Sequence, residues 1–173
     1  QELIDALSTA RAMVDFFNAD NTAIYTLKQM IIPVSSGAID PQGGYNFTVG
    51  PAGNFNFPVR PPAIDGAAFR QLTTPPYNDI PVQFMSAADW LNIRGKGVTS
   101  NIAFWAYYDQ EFPVATIHVW PVPLFGGQFI IQAQELLTSG FNLGDTFLLP
   151  PAYEEAFVYN LAIRLATEYK VPI

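Results

Sequence analysis

The side chains best able to do chemistry are few in this chain, and their spacing is poor for it. His118 is the only histidine and cysteine is absent, which excludes a zinc site built on two histidines, a thiolate metal site and a cysteine–histidine pair. A lone imidazole sharing one strand face with Thr116 and Trp120 reads as a structural or surface residue. A nucleophilic serine would want a G-x-S-x-G elbow, and none occurs. Carboxylates come in two close pairs, Asp109 with Glu111 and Glu154 with Glu155, and two carboxyl groups can hydrolyse a glycosidic bond when one is kept protonated. The first pair falls in a hairpin turn and the second in a helix's first turn. Both places favour ionised acids, by solvation and by the helix dipole. No catalytic residue is assigned, and no cofactor or metal is expected. The run GGYNFTVGPAGN lacks the lysine of a phosphate-binding loop and does not lead into a helix, and Asn46-Phe47-Thr48 is a glycosylation sequon that matters only on a secretory route. RGKGVTS, Arg94 to Ser100, is the basic, glycine-bearing stretch. It is expected to be a flexible loop, with Arg94 and Lys96 as candidate contacts to DNA or a partner.

Composition narrows the function classes further. The chain has 173 residues, half of them hydrophobic and 14% aromatic, with only 13% charged. That length suits a single domain with a real core. So little charge leaves too little polar surface for a free monomer, so much of the surface is expected to be buried against other chains. The aromatics Trp90, Trp105, Tyr107, Tyr108, Trp120 and Phe125 could stack sugars or bases, and are read chiefly as core or subunit interface. Net charge is −7, with 15 acids against 8 scattered bases, which does not supply the converging cations that tight nucleic-acid binding needs. An acidic wall past which DNA slides remains compatible with it. No apolar run approaches about 18 residues and no charged-then-apolar leader opens the chain, so neither a membrane span nor a signal peptide is expected. With no initial Met and a helical pattern at its first residue, the chain is expected to be a trimmed piece.

The elements follow from periodicity. Leu3, Leu7, Ala10, Val14 and Phe17, widened by Ile4 and Met13, predict a helix to about Asn18. Ala23 to Val34 predicts a strand broken at Pro33, and Tyr45 to Val49 a short strand before the turn at Gly50 to Asn54. Prolines between Phe55 and Pro62 argue against regular structure. Ala63 to Arg70 and Ile80 to Phe84 read as extended, and Ser86 as the N-cap of a short helix through Trp90. Ile102 to Tyr108, Val114 to Trp120 and Gln128 to Leu137 alternate, predicting a three-stranded antiparallel meander with Phe104, Ile117, Val119, Phe129 and Ile131 inside and Gln128, Gln132 and Gln134 outside. Pro150 and Pro151 open a last helix with a core stripe of Tyr153, Phe157, Leu161 and Leu165, beside Ala156 and Ile163, ending near Lys170 and Pro172. That helix is expected to cover the meander. The fold class is α+β: N-terminal and C-terminal helices on a small antiparallel meander, with long Pro/Gly-rich loops at Ser35 to Gly44, Gly50 to Pro62 and Gln71 to Asn78.

The ordered segments ELIDALSTARAMVDFFNADN, YNFTVGPAGNF followed by RPP, IPVQFMSAADW, YYDQEFPVATIHVWPVP and LPPAYEEAFVYNLAIRLATEY resemble the tail accessory, packaged-DNA-stabilising proteins of short-tailed bacteriophages. The resemblance runs over nearly the whole chain and is carried by the order of the segments. It implies a non-enzymatic head-to-tail adaptor, residues 1–173 forming one adaptor domain that lacks the family's preceding helix and C-terminal extension. It implies a ring of about twelve copies beneath the portal protein, closing the head after packaging and offering a platform for downstream tail proteins such as a hub, tailspike or fibre. DNA would pass the channel without sequence-specific binding, no membrane would be involved, and the protein would reside in the virion after assembly in the host cytoplasm. Rival readings are a tail-borne peptidoglycan hydrolase using Asp109, Glu111, Glu154 or Glu155, and a carbohydrate-binding module stacking sugars on Trp105 or Trp120.

Overall fold

The structure, a computed structural model, describes residues 2–19, 25–35, 45–73, 75–136, 140–146 and 151–169. Most of the loop expected at Ser35 to Gly44, and the helix-flanking Pro150, Lys170 and Pro172, lie outside the described residues. The elements in chain order are α1 (Glu2–Ala19), β1 (Tyr25–Val34), β2 (Tyr45–Gly50), β3 (Phe55–Asn56), β4 (Ile64–Gln71), β5 (Asp79–Phe84), α2 (Ala87–Asn92), β6 (Thr99–Ser100), β7 (Trp105–Tyr108), β8 (Ala115–Trp120), β9 (Val122–Pro123), β10 (Gly127–Leu136) and α3 (Pro151–Glu168). Helices at the two ends flank a mostly antiparallel sheet in sequence, and the fold is α+β. The chain divides into two compact units, one of residues 1–25 with 136–173 and one of residues 26–135.

The larger unit is built on an eight-stranded sheet in the order β1-β10-β4-β5-β7-β8-β2-β3. The sheet curls until its ends approach. Phe47 of β2 stacks on Phe129 of β10, ring centroids 5.1 Å apart, Tyr45 Oη accepts from the backbone N–H of Ser35 at 3.1 Å, and Lys28 of β1 sits 5.6 Å from the Phe57 ring. Phe47, Phe55, Phe57, Phe69, Phe129, Ile117 and Ile131 fill the inside of the curl. Five phenyl rings in one core give it a large apolar area and edge-on or stacked ring contacts. Among the described residues no polar or charged side chain is fully buried there.

Four expectations need correction. The meander does not form as three neighbours. β7 and β8 pair antiparallel, Trp105 opposite Trp120, but β8 takes β2 on its other side, Asn46 opposite His118. β10 pairs with β4, Phe129 opposite Phe69, and neighbours β1. The reason lies in the connection: Pro121 and Pro123 cannot donate to a tight hairpin, and Val122–Pro123 runs parallel to Thr99–Ser100, with the N–H groups of Val122 and Leu124 bonded to Val98 and Ser100. Phe104 is 43% exposed while Ala103 and Ala106 are buried, because Phe104 lies ahead of β7, where the regular alternation of the strand has not begun. Pro33 lies inside β1 without breaking it, as a proline can on a strand at the sheet edge. Phe55–Asn56 also forms a two-residue strand beside Val49–Gly50, despite the prolines that follow. The predicted burial of Ile117, Val119, Phe129 and Ile131 is observed.

The smaller unit pairs α1 with α3. Ala10, Met13 and Val14 are the buried side chains of α1, and Leu3 and Ile4 at its start are 68% and 65% exposed. On α3, Phe157, Leu161 and Leu165 are half-buried, while Tyr153 and Ile163, also expected in the stripe, are exposed. The Arg164 guanidinium lies 5.2 Å from the Phe16 ring, and Arg11 donates to the Phe141 carbonyl at 2.6 Å, fastening the 140–146 segment to α1.

Candidate functional site

The sole histidine is placed by three elements of the larger unit. β8 points His118 to the outer face of the sheet, β7 brings Tyr107 opposite it, and α2 lays Trp90 against both. The α2 start is fixed by Ser86, whose hydroxyl accepts from the Asp89 N–H at 3.2 Å and donates to the Asp89 carboxylate at 2.6 Å. Ring centroids are 5.2 Å apart for Trp90 and His118, 5.7 Å for Tyr107 and His118, and 5.9 Å for Trp90 and Tyr107, all near parallel. Asn46 Oδ1 lies 2.8 Å from His118 Nδ1, so this nitrogen carries the proton that is donated. Nε2 lies 3.7 Å from an Asp109 oxygen, too long for a hydrogen bond and an ion pair only when the ring is protonated. Both ring nitrogens thus face protein groups. A histidine–aspartate pair that acts as a base needs one nitrogen aimed at a nucleophile or substrate, and this one aims neither.

Arg94 and Lys96, the candidate contacts, lie in the segment between α2 and β6. Arg94 is exposed, whereas Lys96 is half-buried, with its ammonium 5.0 Å from the Trp90 ring. Trp120 Nε1 donates to the Gly95 carbonyl at 3.0 Å, and the Val98 N–H returns to Gly95. The segment expected to be a flexible loop is tied to the sheet's outer face by these contacts. No spacing rule would have joined Lys96 to Trp90; the six-residue gap spans a helix end.

The carboxylates separate by role. Asp109 Oδ1 accepts from the N–H groups of Thr116 at 2.7 Å and Glu111 at 3.2 Å, which closes the β7–β8 turn. Glu111 is exposed in that turn, and Glu154 and Glu155 are exposed on α3 in the other unit. The turn is braced from beside: Tyr108 Oη donates to the Pro61 carbonyl at 2.7 Å and Gln110 Nε2 to that of Pro62 at 3.3 Å. Burial pushes the Tyr108 hydroxyl above its ordinary range, with the nearby Arg60 guanidinium acting in the opposite sense. Gln110 adopts φ 59°. At the crest, Phe112 is 81% exposed. The sequence marked this stretch as a hairpin turn and did not single out Phe112.

Two hollows are lined by described residues. One of about 250 Å³ lies in the larger unit between β1 and β2, lined by Ile32, Pro33, Tyr45, Asn46, Phe47 and Asn54. The other, of about 270 Å³, is an apolar groove in the smaller unit between α1 and α3, lined by Leu3, Leu7, Ala10, Phe157 and Leu161 and closed at one side by the 141–145 segment. Among the described residues no three of His, Asp and Glu converge as metal ligands, and no helix is long and apolar enough to cross a membrane. Trp105, offered as a sugar platform, is 38% exposed beside Phe104. Comparison with protein-family models, with curated proteins and with solved structures gives no match for this chain.

Proposed function

We propose that this chain is a subunit of an oligomeric, non-enzymatic adaptor, the head-to-tail connector of a short-tailed bacteriophage, ringed beneath a portal and offering a platform to tail proteins. The observation that carries the reading is α3. Its 18 residues include no buried side chain among those described. Tyr159 and Ile163 are 63% and 50% exposed on the side away from the half-buried Phe157, Leu161 and Leu165, and Val158, flanking that stripe, is 59% exposed. A helix apolar on both sides is a helix that ends up covered on both sides, and one of its two faces here has no cover within its own unit. The low charged fraction points the same way, since a protein that must be soluble alone normally puts charge on such a face. The acidic balance suits a channel that DNA passes without being held.

Native mass spectrometry of the protein, alone and with its portal, tests the reading. A ring bound one-to-one with portal subunits is expected, and a monomer indifferent to portal would overturn it.

A further inference from the structure

Resting on the adaptor reading, we infer that the β7–β8 turn is a docking knob whose Phe112 enters the α1–α3 groove of a neighbouring copy. Phe112 is the most exposed large hydrophobic side chain among the described residues, at 81%, yet its backbone is held from three directions. Asp109 ties the turn to Thr116 and Glu111, Tyr108 ties its base to Pro61, and Gln110 ties its flank to Pro62. A turn whose backbone is braced in advance loses less freedom on binding, and an aromatic anchor seated in a pocket is the usual centre of interface energy.

The groove has the matching dimensions and chemistry. A cavity of about 150 Å³ already admits a benzene ring, and the groove measures about 270 Å³ with Leu3, Leu7, Ala10, Phe157 and Leu161 as its walls. Charge agrees as well. Exposed Glu111 precedes Phe112, and the Arg11 guanidinium stands at the groove's 141–142 side, bonded to the Phe141 carbonyl and Asn142 Oδ1. Asp145 at the same side is turned to the Asn142 N–H at 2.6 Å.

A second copy is the occupant these facts select, because each copy carries both the exposed Glu111–Phe112 turn and a groove whose size and Arg11 charge suit it. Two unlike surfaces that fit each other can join copies head to tail, and such contacts close into a ring when the rotation between copies divides the circle.

The absence of cysteine makes the test direct. Copies carrying Glu111→Cys are mixed with copies carrying Leu3→Cys and oxidised, with Leu91→Cys, exposed on α2, in place of Leu3→Cys as the control. The expected result is a mixed disulfide dimer at least tenfold more abundant than with the control. Adding Phe112→Ala to the Glu111→Cys chain, with folding checked by circular dichroism, is expected to bring the yield down to the control. Should the wild-type protein form oligomers or portal-bound rings while the Glu111→Cys and Leu3→Cys chains link no more than the control, the knob is overturned and the adaptor stands. A wild-type chain that stays monomeric with and without portal removes both.

Discussion

The two units of this protein spend their apolar residues differently. In the unit of residues 26–135, phenylalanines converge: Phe47, Phe55, Phe57, Phe69 and Phe129 are at most 4% exposed, and the Phe47 ring meets Phe55 edge-on and stacks on Phe129. In the unit of residues 1–25 and 136–173, the apolar residues diverge, with Leu3, Ile4, Phe16, Val158, Tyr159 and Ile163 all at least half exposed. Hydrophobic burial stabilises a fold only in proportion to the area removed from water. The first unit therefore draws stability from its own burial, and the second leaves much of its apolar area in water.

The sharpest break of this contrast is Phe129→Ala. It removes the ring that stacks on Phe47 and closes the curl, and a loss of about 4 kcal/mol in urea unfolding is expected for a ring so fully enclosed. Trp90→Ala comes next. It strips the cover from Tyr107 and His118 and the platform from Lys96, with an expected cost of about 3 kcal/mol, visible as altered His118 ring shifts in NMR. A Val158→Ser, Tyr159→Ser, Ile163→Ser triple variant should shift unfolding stability by about 0.5 kcal/mol or less per site while abolishing ring formation in native mass spectrometry. A stability loss as large as that of Phe129→Ala would mean that α3 is core after all.

The smallest effect is one of pH. Burial raises the folded Tyr108 hydroxyl above the ordinary tyrosine value of about 10. Its contribution is therefore fully present below the unfolded value and is lost as pH rises through the folded one. Phenolate absorbance should show one tyrosine titrating late, and Tyr108→Phe should remove both that late step and the matching part of the alkaline loss of stability. A variant with an unchanged titration would unfasten Tyr108 from the bracing assigned to it.

Local patterns were legible where one element decides its own fate. Ser86 announced an N-cap because a hydroxyl before an apolar run satisfies an orphan N–H, and it does so at Asp89. The alternation of Ile117, Val119, Phe129 and Ile131 announced an inward face, since a strand's side chains must go to two sides, and all four are buried. Asp109 and Glu111 announced a turn, as the Asp109 bonds bear out.

Partner choice was not legible in the same way. β10 could pair with any strand of matching alternation. That it joins β4 rather than β8 follows from the β9 detour and from β2 having claimed the β8 edge, facts that belong to the whole sheet. The same holds for His118, which the sequence by itself determined to be a lone imidazole without a zinc partner or a cysteine. Only tertiary structure set it between Asn46 and Asp109 under Trp90, because residues 28 and 72 positions away meet there. Composition determined that apolar surface would exceed what one small core needs. Which side chains carry the excess, Phe112 on its braced turn and the outer side of α3, was decided by packing, since periodicity records that a face is apolar and not whether anything lies against it.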